Sequence, residues 1–138
     1  MQPAQQQAFL GQGLAFPLRL VNGEFAMNAA EAQVQQSILS ILQTNHGERV
    51  MRPEFGANLN KLAFEPLSPV TAILAQEQVK ESLLRFEPRI DLLTVNTRWQ
   101  TQQGEMNTLL IDIHYRIRAT DTEFNLVFPF YLERGHTG

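Results

Sequence analysis

The last third of the chain alternates apolar and polar residues with a period of two, and this pattern restricts the fold more than any other. Because successive side chains of a strand point to opposite faces of a sheet, such alternation is typical of half-buried β-strands. Short loops around Gly104 and Asp121 separate three such segments, which predicts a three-stranded antiparallel sheet. The residues predicted to share one face are Leu93, Val95, Thr97 and Trp99 in the first strand, Leu109, Ile111, Ile113, Tyr115 and Ile117 in the second, and Phe124, Leu126, Phe128, Phe130 and Leu132 in the third.

An amphipathic helix is predicted over residues 29–45. Asn28 and Glu31 form a capping-box start, in which each side chain bonds the backbone N–H of the other residue. Gly47 stands where a left-handed residue is expected after the helix. The apolar face, with the spacing of one side of a helix, consists of Val34, Ile38, Ile41 and Leu42.

A second helix is predicted between Ser68, an N-cap followed by Pro69, and Phe86. Pro88 ends this helix because it disfavours helical backbone in the residue before it. Apolar residues lie on two nearly opposite sides, so the helix is either deeply buried or packed against a second partner. One side consists of Ala72, Ala75, Val79, Leu83 and Phe86, and the other of Val70, Ile73, Leu74 and Leu84.

The N-terminal region is predicted to contain an arm and a hairpin. Residues 1–13 are rich in glutamine and are expected to form a flexible arm. Asn22 and Gly23 suit a type I′ turn, which predicts a β-hairpin over residues 16–27. Residues 14–138 are then a single domain of the α+β class, with two helices packed on a three-stranded antiparallel sheet and a small N-terminal β-hairpin.

The composition argues against several classes of protein. A net charge of −3 and a pI near 5.6 lack the basic footprint of a nucleic-acid-binding protein. Without cysteine there is no disulfide or thiolate nucleophile. No apolar run approaches the roughly 20 residues that span a bilayer, and the N-terminus lacks the features of a secretory signal. We expect a protein of the cytoplasm, or one assembled there, that binds neither nucleic acid nor membrane.

No arrangement of residues indicates catalysis. There is no zinc motif, nucleophile elbow or glycine-rich phosphate loop, and His46, His114 and His136 lack partners at metal-ligand spacing. Pairing with arginine lowers the pKa of a carboxyl, whereas a general acid needs it raised. The candidate acids that lie beside arginine or proline are Glu48, Glu54, Glu65 and Glu87. We expect no enzyme activity, metal, cofactor or small-molecule substrate.

The connector between the helices, residues 47–66, lacks a regular period and yet carries many apolar side chains. We expect it to be ordered and largely buried. The planar forks of Arg49 and Arg52 suit bidentate, partly buried pairing with carboxylates or backbone carbonyls. They either brace the fold, through Glu48, Glu54, Glu65 or Glu87, or contact a partner, and bracing is favoured. The residues assigned to one of these roles are Glu48, Arg49, Arg52, Pro53, Phe55 and Gly56.

Two surface features are suited to binding another protein. An open sheet edge accepts a strand from a partner, unless loops or the N-terminal arm cover it. At Glu87-Pro88-Arg89, proline fixes the backbone, so this corner is either a surface ion pair or an arginine that enters a partner's pocket. The candidate pairing edges are the last strand, with Phe124, Asn125, Leu126, Val127 and Phe128, and the first strand, with Leu93, Val95 and Trp99.

Four segments of the sequence occur together in a known family. They are the pattern FP…NG.F in residues 16–25, ILQTNHGERVMRPEFGANL in residues 41–59, RFEPRI in residues 85–90 and NLVFPFYL in residues 125–132. The chain thereby resembles the baseplate-wedge, or sheath-initiator, family of contractile injection machines over roughly residues 14–132. This family occurs in contractile phage tails, type VI secretion systems and extracellular phage-tail-like particles.

The resemblance implies a structural protein, made in the cytoplasm of the producing cell and incorporated in a baseplate. It implies that sheath subunits dock on the sheet by strand addition, and that Glu87, Pro88 and Arg89 anchor the chain to baseplate wedge proteins. Central spike or tube-base proteins are further candidate partners. Two alternatives remain at this stage, a peptidoglycan-cleaving enzyme like lysozyme and a generic adaptor domain.

Overall fold

The computed structural model of the protein describes residues 18–20, 27–102 and 105–132. Their elements, in chain order, are the strand β1 (Leu18–Leu20), the helix α1 (Ala29–Gln43), a 3-10 helix (Leu59–Leu62), the helix α2 (Pro69–Phe86) and the strands β2 (Ile90–Gln102), β3 (Glu105–Ile117) and β4 (Thr122–Tyr131). The α+β class, the two helices and the antiparallel three-strand meander are confirmed. Most of the predicted N-terminal hairpin, with its turn, and the glutamine-rich arm lie outside the described residues.

The sheet contains one strand more than the meander. Its order is β1-β4-β3-β2, and every neighbouring pair is antiparallel. Strand β1 lies along β4 and pairs with Phe124, Asn125 and Leu126. The prediction of an open edge at these three residues was therefore wrong. Strand β2 forms the opposite edge, and no described residue pairs with its outer side.

One face of the sheet and the inner sides of both helices enclose a single hydrophobic core. Helix α2 lies against β2, and α1 packs against α2. The predicted faces of β3 and of α1 are buried, since apolar side chains that leave water together supply most of the driving force for folding. The core residues of β3 are Leu109, Ile111, Ile113, Tyr115 and Ile117.

A bulge interrupts β2 near its start. Leu92 lies opposite Tyr115 and Thr94 lies opposite His114, which leaves Leu93 without a residue across from it. An extra residue of this kind moves the following side chains by one position. Leu93 is accordingly 38% exposed, and its predicted place on the buried face was wrong. After the bulge, Val95 is buried as predicted.

Local capping groups determine where the helices begin and end. The reciprocal capping box of Asn28 and Glu31 is present, and Ser68 caps α2. Helix α1 ends at Gln43, two residues earlier than predicted, because Thr44 already has extended backbone. Gly47 has the positive φ expected of it, +89°, but lies beyond the position that follows the helix.

The connector folds back on the end of α1. Ala57 N donates to Ile41 O (2.9 Å) and Asn58 N to Thr44 O (3.2 Å), while the Gln78 side chain donates to both Ala57 O and Asn58 O. In the second half of the connector, some residues are buried, namely Gly56, Ala57, Leu59, Leu62 and Ala63. The first half is not buried, since Val50 is 92% exposed and Met51 88%. The prediction of a largely buried connector thus holds only for part of residues 56–63, and Phe64, which is 68% exposed, contradicts it again.

Gly56 is required where the connector crosses the end of α1. Its φ is +108°, and a Cβ atom there would lie 2.2 Å from Thr44 O, which is backbone. We expect Gly56→Ala to lower the free energy of unfolding by at least about 2 kcal/mol. Gly47→Ala is the matched control: its φ is also positive, but open space surrounds it, so only about 1 kcal/mol is expected. Urea unfolding of both variants measures the difference, and equal losses would contradict the close approach.

Candidate functional site

The corner at residues 87–89 is built around a buried carboxylate. Glu87 caps α2 through its N–H, which donates to Leu83 O, and its side chain turns inward and is 2% exposed. Arg89 donates to both carboxylate oxygens, from Nε to Oε2 (2.8 Å) and from Nη2 to Oε1 (3.0 Å). The Arg89 side chain is 51% exposed. Of the two charged residues of the predicted motif, only the arginine is therefore available to a partner.

The charge on Glu87 is maintained by its hydrogen bonds. Burial alone would raise the pKa of this carboxyl, but hydrogen bonds from Arg89 and Ser37 outweigh burial and lower it. The hydrogen bond to Glu87 also raises the pKa of Arg89. Because Ser37 belongs to α1, the carboxylate connects α1 to the junction between α2 and β2. Burial raises the pKa of Tyr115, and the charges of Glu31 and Glu87 raise it further.

Glu87→Gln keeps the shape of the side chain and removes its charge. The folded-state pKa of Glu87 is lowered, below an unfolded value of about 4.3. Its charge therefore stabilises the fold above that pH, and the contribution is lost as the pH falls through the folded-state pKa. We expect the variant to lose about 1.5–3 kcal/mol of unfolding free energy at pH 7.

The difference from the wild type should shrink below about pH 4, which urea unfolding at pH 7 and pH 2.5 measures. The control is Glu48→Gln. The pKa of Glu48 is lowered by hydrogen bonds from the backbone and side chain of Asn45, but Glu48 is exposed, so a smaller loss is expected. A loss at Glu87→Gln that does not change with pH would contradict the assigned role of its charge.

The connector arginines stack on aromatic rings instead of pairing with carboxylates. Arg49 lies over Phe55, with its guanidinium carbon 4.6 Å from the ring centroid, and donates to Ser40 Oγ (2.8 Å). Arg52 contacts both Phe55 and Phe86, with its guanidinium carbon 5.2 and 5.1 Å from their centroids. The predicted pairing was wrong: neither arginine forms an ion pair with Glu48, Glu54, Glu65 or Glu87.

The other residues assigned to the connector shape its backbone. Glu48 accepts hydrogen bonds from the N–H and side chain of Asn45, both at 3.1 Å. Pro53 O accepts from Gly47 N (2.7 Å), which closes the exposed turn. These hydrogen bonds thus hold the backbone of the connector on both sides of Arg49 and Arg52.

Sequence reasoning missed Arg85. Its guanidinium carbon lies 5.1 Å from the centroid of the Phe86 ring, which Arg52 also contacts. A basic residue in the last turn of a helix is ordinary, so nothing in the sequence marked it. A cavity of about 110 Å³ adjoins Arg85 and Phe86, and Glu54, Lys61 and Gln78 are also in its wall.

At the β2 edge, backbone groups rather than the predicted side chains are available to a partner. Val95 points into the core and Trp99 packs against it, so neither predicted side chain faces outward at the edge. The opposite face of the sheet and the turn between β3 and β4 carry ion pairs, and hydrogen bonds from Arg116 and Arg118 lower the pKa of Asp91. The pairs are Asp91 with Arg116 and Arg118, Arg98 with Asp112, Arg116 with Asp121, and His114 with Glu123.

The second apolar side of α2 is exposed to solvent. Of the two alternatives for this helix, deep burial on both sides is therefore excluded. Two carboxylates, Glu77 and Glu81, lie on the same exposed surface. The exposed apolar residues are Val70, Ile73, Leu74 and Leu84.

Groups that would support metal chemistry are absent from the described part of the chain. Residues 27–100 and 107–132 contain no cluster of three or more histidine or carboxylate side chains that could hold an ion. Neither α1 nor α2 is long and apolar enough to cross a membrane.

A strand edge without a neighbour among the described residues, an arginine held by a buried carboxylate and exposed apolar side chains form a surface that suits contacts with other proteins. The chain belongs to the family of the baseplate wedge protein gp25, whose family model matches residues 28–122. That range runs from the cap of α1 to the first residue of β4. The resemblance read from the sequence motifs is thereby confirmed.

Relatives and solved structures agree with this family. The baseplate wedge protein gp25 of Enterobacteria phage T4 is 29% identical over 96 residues, which cover 70% of either chain. A protein from Geobacter sulfurreducens that carries the name tail lysozyme is 43% identical, with a TM-score of 0.68 over 80% of this chain and 98% of that one. A chain of the postcontracted pyocin R2 baseplate is 28% identical, with a TM-score of 0.53 over 74% of this chain and 97% of that one.

Proposed function

We propose that the chain is a structural subunit of the baseplate of a contractile injection machine, made in the cytoplasm of the producing cell. In this role it anchors to neighbouring wedge proteins and templates the polymerisation of sheath subunits, whose strands add to its sheet. One observation carries the proposal: in a chain of the baseplate wedge family, the outer side of β2 has no neighbouring strand among the described residues. Central spike and tube-base proteins are further candidates for contact.

The geometry of β2 supports strand addition. The bulge at residues 92–94 and a second register shift at residues 100–101 bracket a regular segment, residues 94–100. Its outer hydrogen-bonding groups have no partner among the described residues. Each added backbone hydrogen bond contributes about 0.5–1.5 kcal/mol net, so a partner strand along this segment would make several that act together. The outer side of β4 beyond Leu126 is a second candidate edge.

The fixed position of Arg89 supports anchoring. Its guanidinium is held by Glu87 and keeps part of its surface exposed. A side chain positioned in advance loses less conformational freedom when it enters a partner's pocket. In this proposal Glu87 positions the arginine, Pro88 shapes the turn and Arg89 makes the contact.

Proline at the β2 edge tests strand addition. The N–H groups of successive strand residues point to opposite sides, so of Asn96→Pro and Thr97→Pro one removes an outward donor and the other a bond to β3. We expect the proline variant that loses only an outward donor to keep its melting temperature and to abolish sheath assembly. Particles formed with each variant are counted by electron microscopy.

The matched controls for this test are Asn96→Val and Thr97→Val. They change the same side chains but keep both N–H groups, so sheath assembly should be normal. Normal assembly on a folded proline variant would reject residues 94–100 as the pairing edge. The β4 edge would then be tested in the same way.

Arg89→Lys tests anchoring with little risk to the fold. Lysine keeps a positive charge beside Glu87 but loses the planar fork, and the two side chains are not equivalent at a bidentate site. We expect a melting temperature a few degrees below that of the wild type, because a hydrogen bond to the buried Glu87 carboxylate is lost, and at least about tenfold less protein in purified baseplates assembled at a temperature where the variant is folded, the equivalent of about 1.4 kcal/mol. Arg98→Lys, on the outer face of the sheet, is the control. Undiminished incorporation of Arg89→Lys would reject the anchor.

One relative's name favours a second function, the cleavage of peptidoglycan. The carboxyls of Glu48, Glu87 and Asp91 all have lowered pKa values, whereas a glycosidase needs a general acid with a raised pKa. Incubation of the purified chain with cell-wall sacculi decides between the two functions. Release of soluble fragments would support the enzyme.

A further inference from the structure

Three arginines of this protein lack the carboxylate partners that the others have. Among the arginines whose side chains the structure describes, four form ion pairs: Arg89, Arg98, Arg116 and Arg118. The remaining three, Arg49, Arg52 and Arg85, form no ion pair with any described carboxylate, although the charge of Arg49 helps to lower the pKa of its neighbour Glu48. In a chain with a net charge of −3, carboxylates are not scarce. A shortage of carboxylates therefore does not explain these three arginines, which lie together at one place on the surface.

That place is the aromatic pair Phe55 and Phe86, whose ring centroids are 4.9 Å apart. Arg49 stacks on Phe55, Arg85 stacks on Phe86 and Arg52 contacts both rings, all at 4.6–5.2 Å from a centroid. These five residues are called the arginine cluster below. They come from the connector and from the end of α2.

Stacking leaves the hydrogen-bond donors of the cluster available. A guanidinium held over a ring uses its face, while its N–H groups point outward in the plane. Only one donor of Arg49 has a described acceptor, Ser40 Oγ. Planar N–H pairs of this kind match the two oxygens of a carboxylate. Three such groups around two rings form a site for anionic side chains.

The surroundings favour a protein ligand over a nucleic acid. Val50 and Met51 occupy the turn between Arg49 and Arg52, which is closed by Arg52 N donating to Arg49 O (3.2 Å), and both are almost fully exposed. This places an apolar contact beside the cationic groups. Carboxylates also lie close to the cluster and keep its positive surface small, which suits one or two anionic groups rather than the continuous charge of a polyphosphate: Glu48 precedes Arg49, and Glu54 and Glu81 lie in the wall of the adjoining cavity.

We infer that the arginine cluster binds a short acidic segment of another baseplate protein. In this complex, one or two carboxylates of the segment accept hydrogen bonds from the arginines, and a neighbouring apolar side chain packs on Val50 and Met51. The identity of the segment as part of a baseplate protein rests on the proposed function. The binding of an acidic peptide does not, and it is tested separately.

The first experiment titrates the full chain, labelled with ¹⁵N, with a peptide that contains Glu-Leu-Glu between glycines. We expect saturable shifts of the Arg49, Arg52 and Arg85 side-chain Nε–H signals. A peptide with Gln-Leu-Gln should produce none. An oligothymidylate of the same charge should bind more weakly. The absence of saturable shifts, or tighter binding of the oligonucleotide, would overturn the inference.

Paired variants locate the binding. Arg52→Gln with Arg85→Gln should weaken peptide binding at least about tenfold, because two charge-assisted contacts are lost. Arg98→Gln with Arg118→Gln changes the net charge equally at exposed arginines that already have carboxylate partners, and binding should be unchanged. Equal weakening by both pairs would indicate non-specific attraction and overturn the site.

The same variants in the assembling particle test the source of the segment. The proposed function fails if the wild-type chain is absent from purified baseplates. If the wild type is incorporated and the Arg52, Arg85 variant is incorporated equally well, the proposed function stands and the inference is overturned. Reduced incorporation of that variant alone, at an unchanged melting temperature, is the expected result.

Discussion

A single desolvated carboxylate, that of Glu87, fixes the relative position of the main elements. A buried charge is tolerated only where its hydrogen bonds are satisfied, and here they come from Ser37 on α1 and from Arg89 at the start of β2. The N–H of the same residue ends α2. The carboxylate therefore links α1 to the point at which the chain leaves α2 and enters β2.

The protein holds its arginines in two different ways. Arg89 is satisfied by a carboxylate and retains part of its surface, whereas the arginine cluster is held by ring faces and retains most of its hydrogen-bonding capacity. Stacking stabilises a cation by roughly 0.5–1 kcal/mol at an exposed site, enough to order a side chain without neutralising it. The connector is therefore ordered by backbone hydrogen bonds and packing, and its charges stay available.

What the sequence predicted correctly was local. Capping at Asn28 and Ser68 and the apolar periods of the helices and strands depend on residues a few positions apart. The failures involve distant residues or a change of register. The partner of Arg52 is Phe86, on another element; β1 pairs with β4 across the whole chain; and the bulge at Leu93 shifts the alternation by one residue. Sequence patterns do not show which distant residues lie side by side. The family motifs could therefore be recognised from the sequence, whereas the contacts of their residues could not be derived.

The order of the strands makes the two edges of the sheet different from each other. Strand β1 lies along one side at residues 124–126, and β2 leaves the other side without a neighbour among the described residues. In the proposed function, strands that add at β2 extend the sheet on one side only, and the molecule is then the end of a stack rather than a link within it. An assembly that began from β2 would extend in a single direction, and its length would be determined elsewhere.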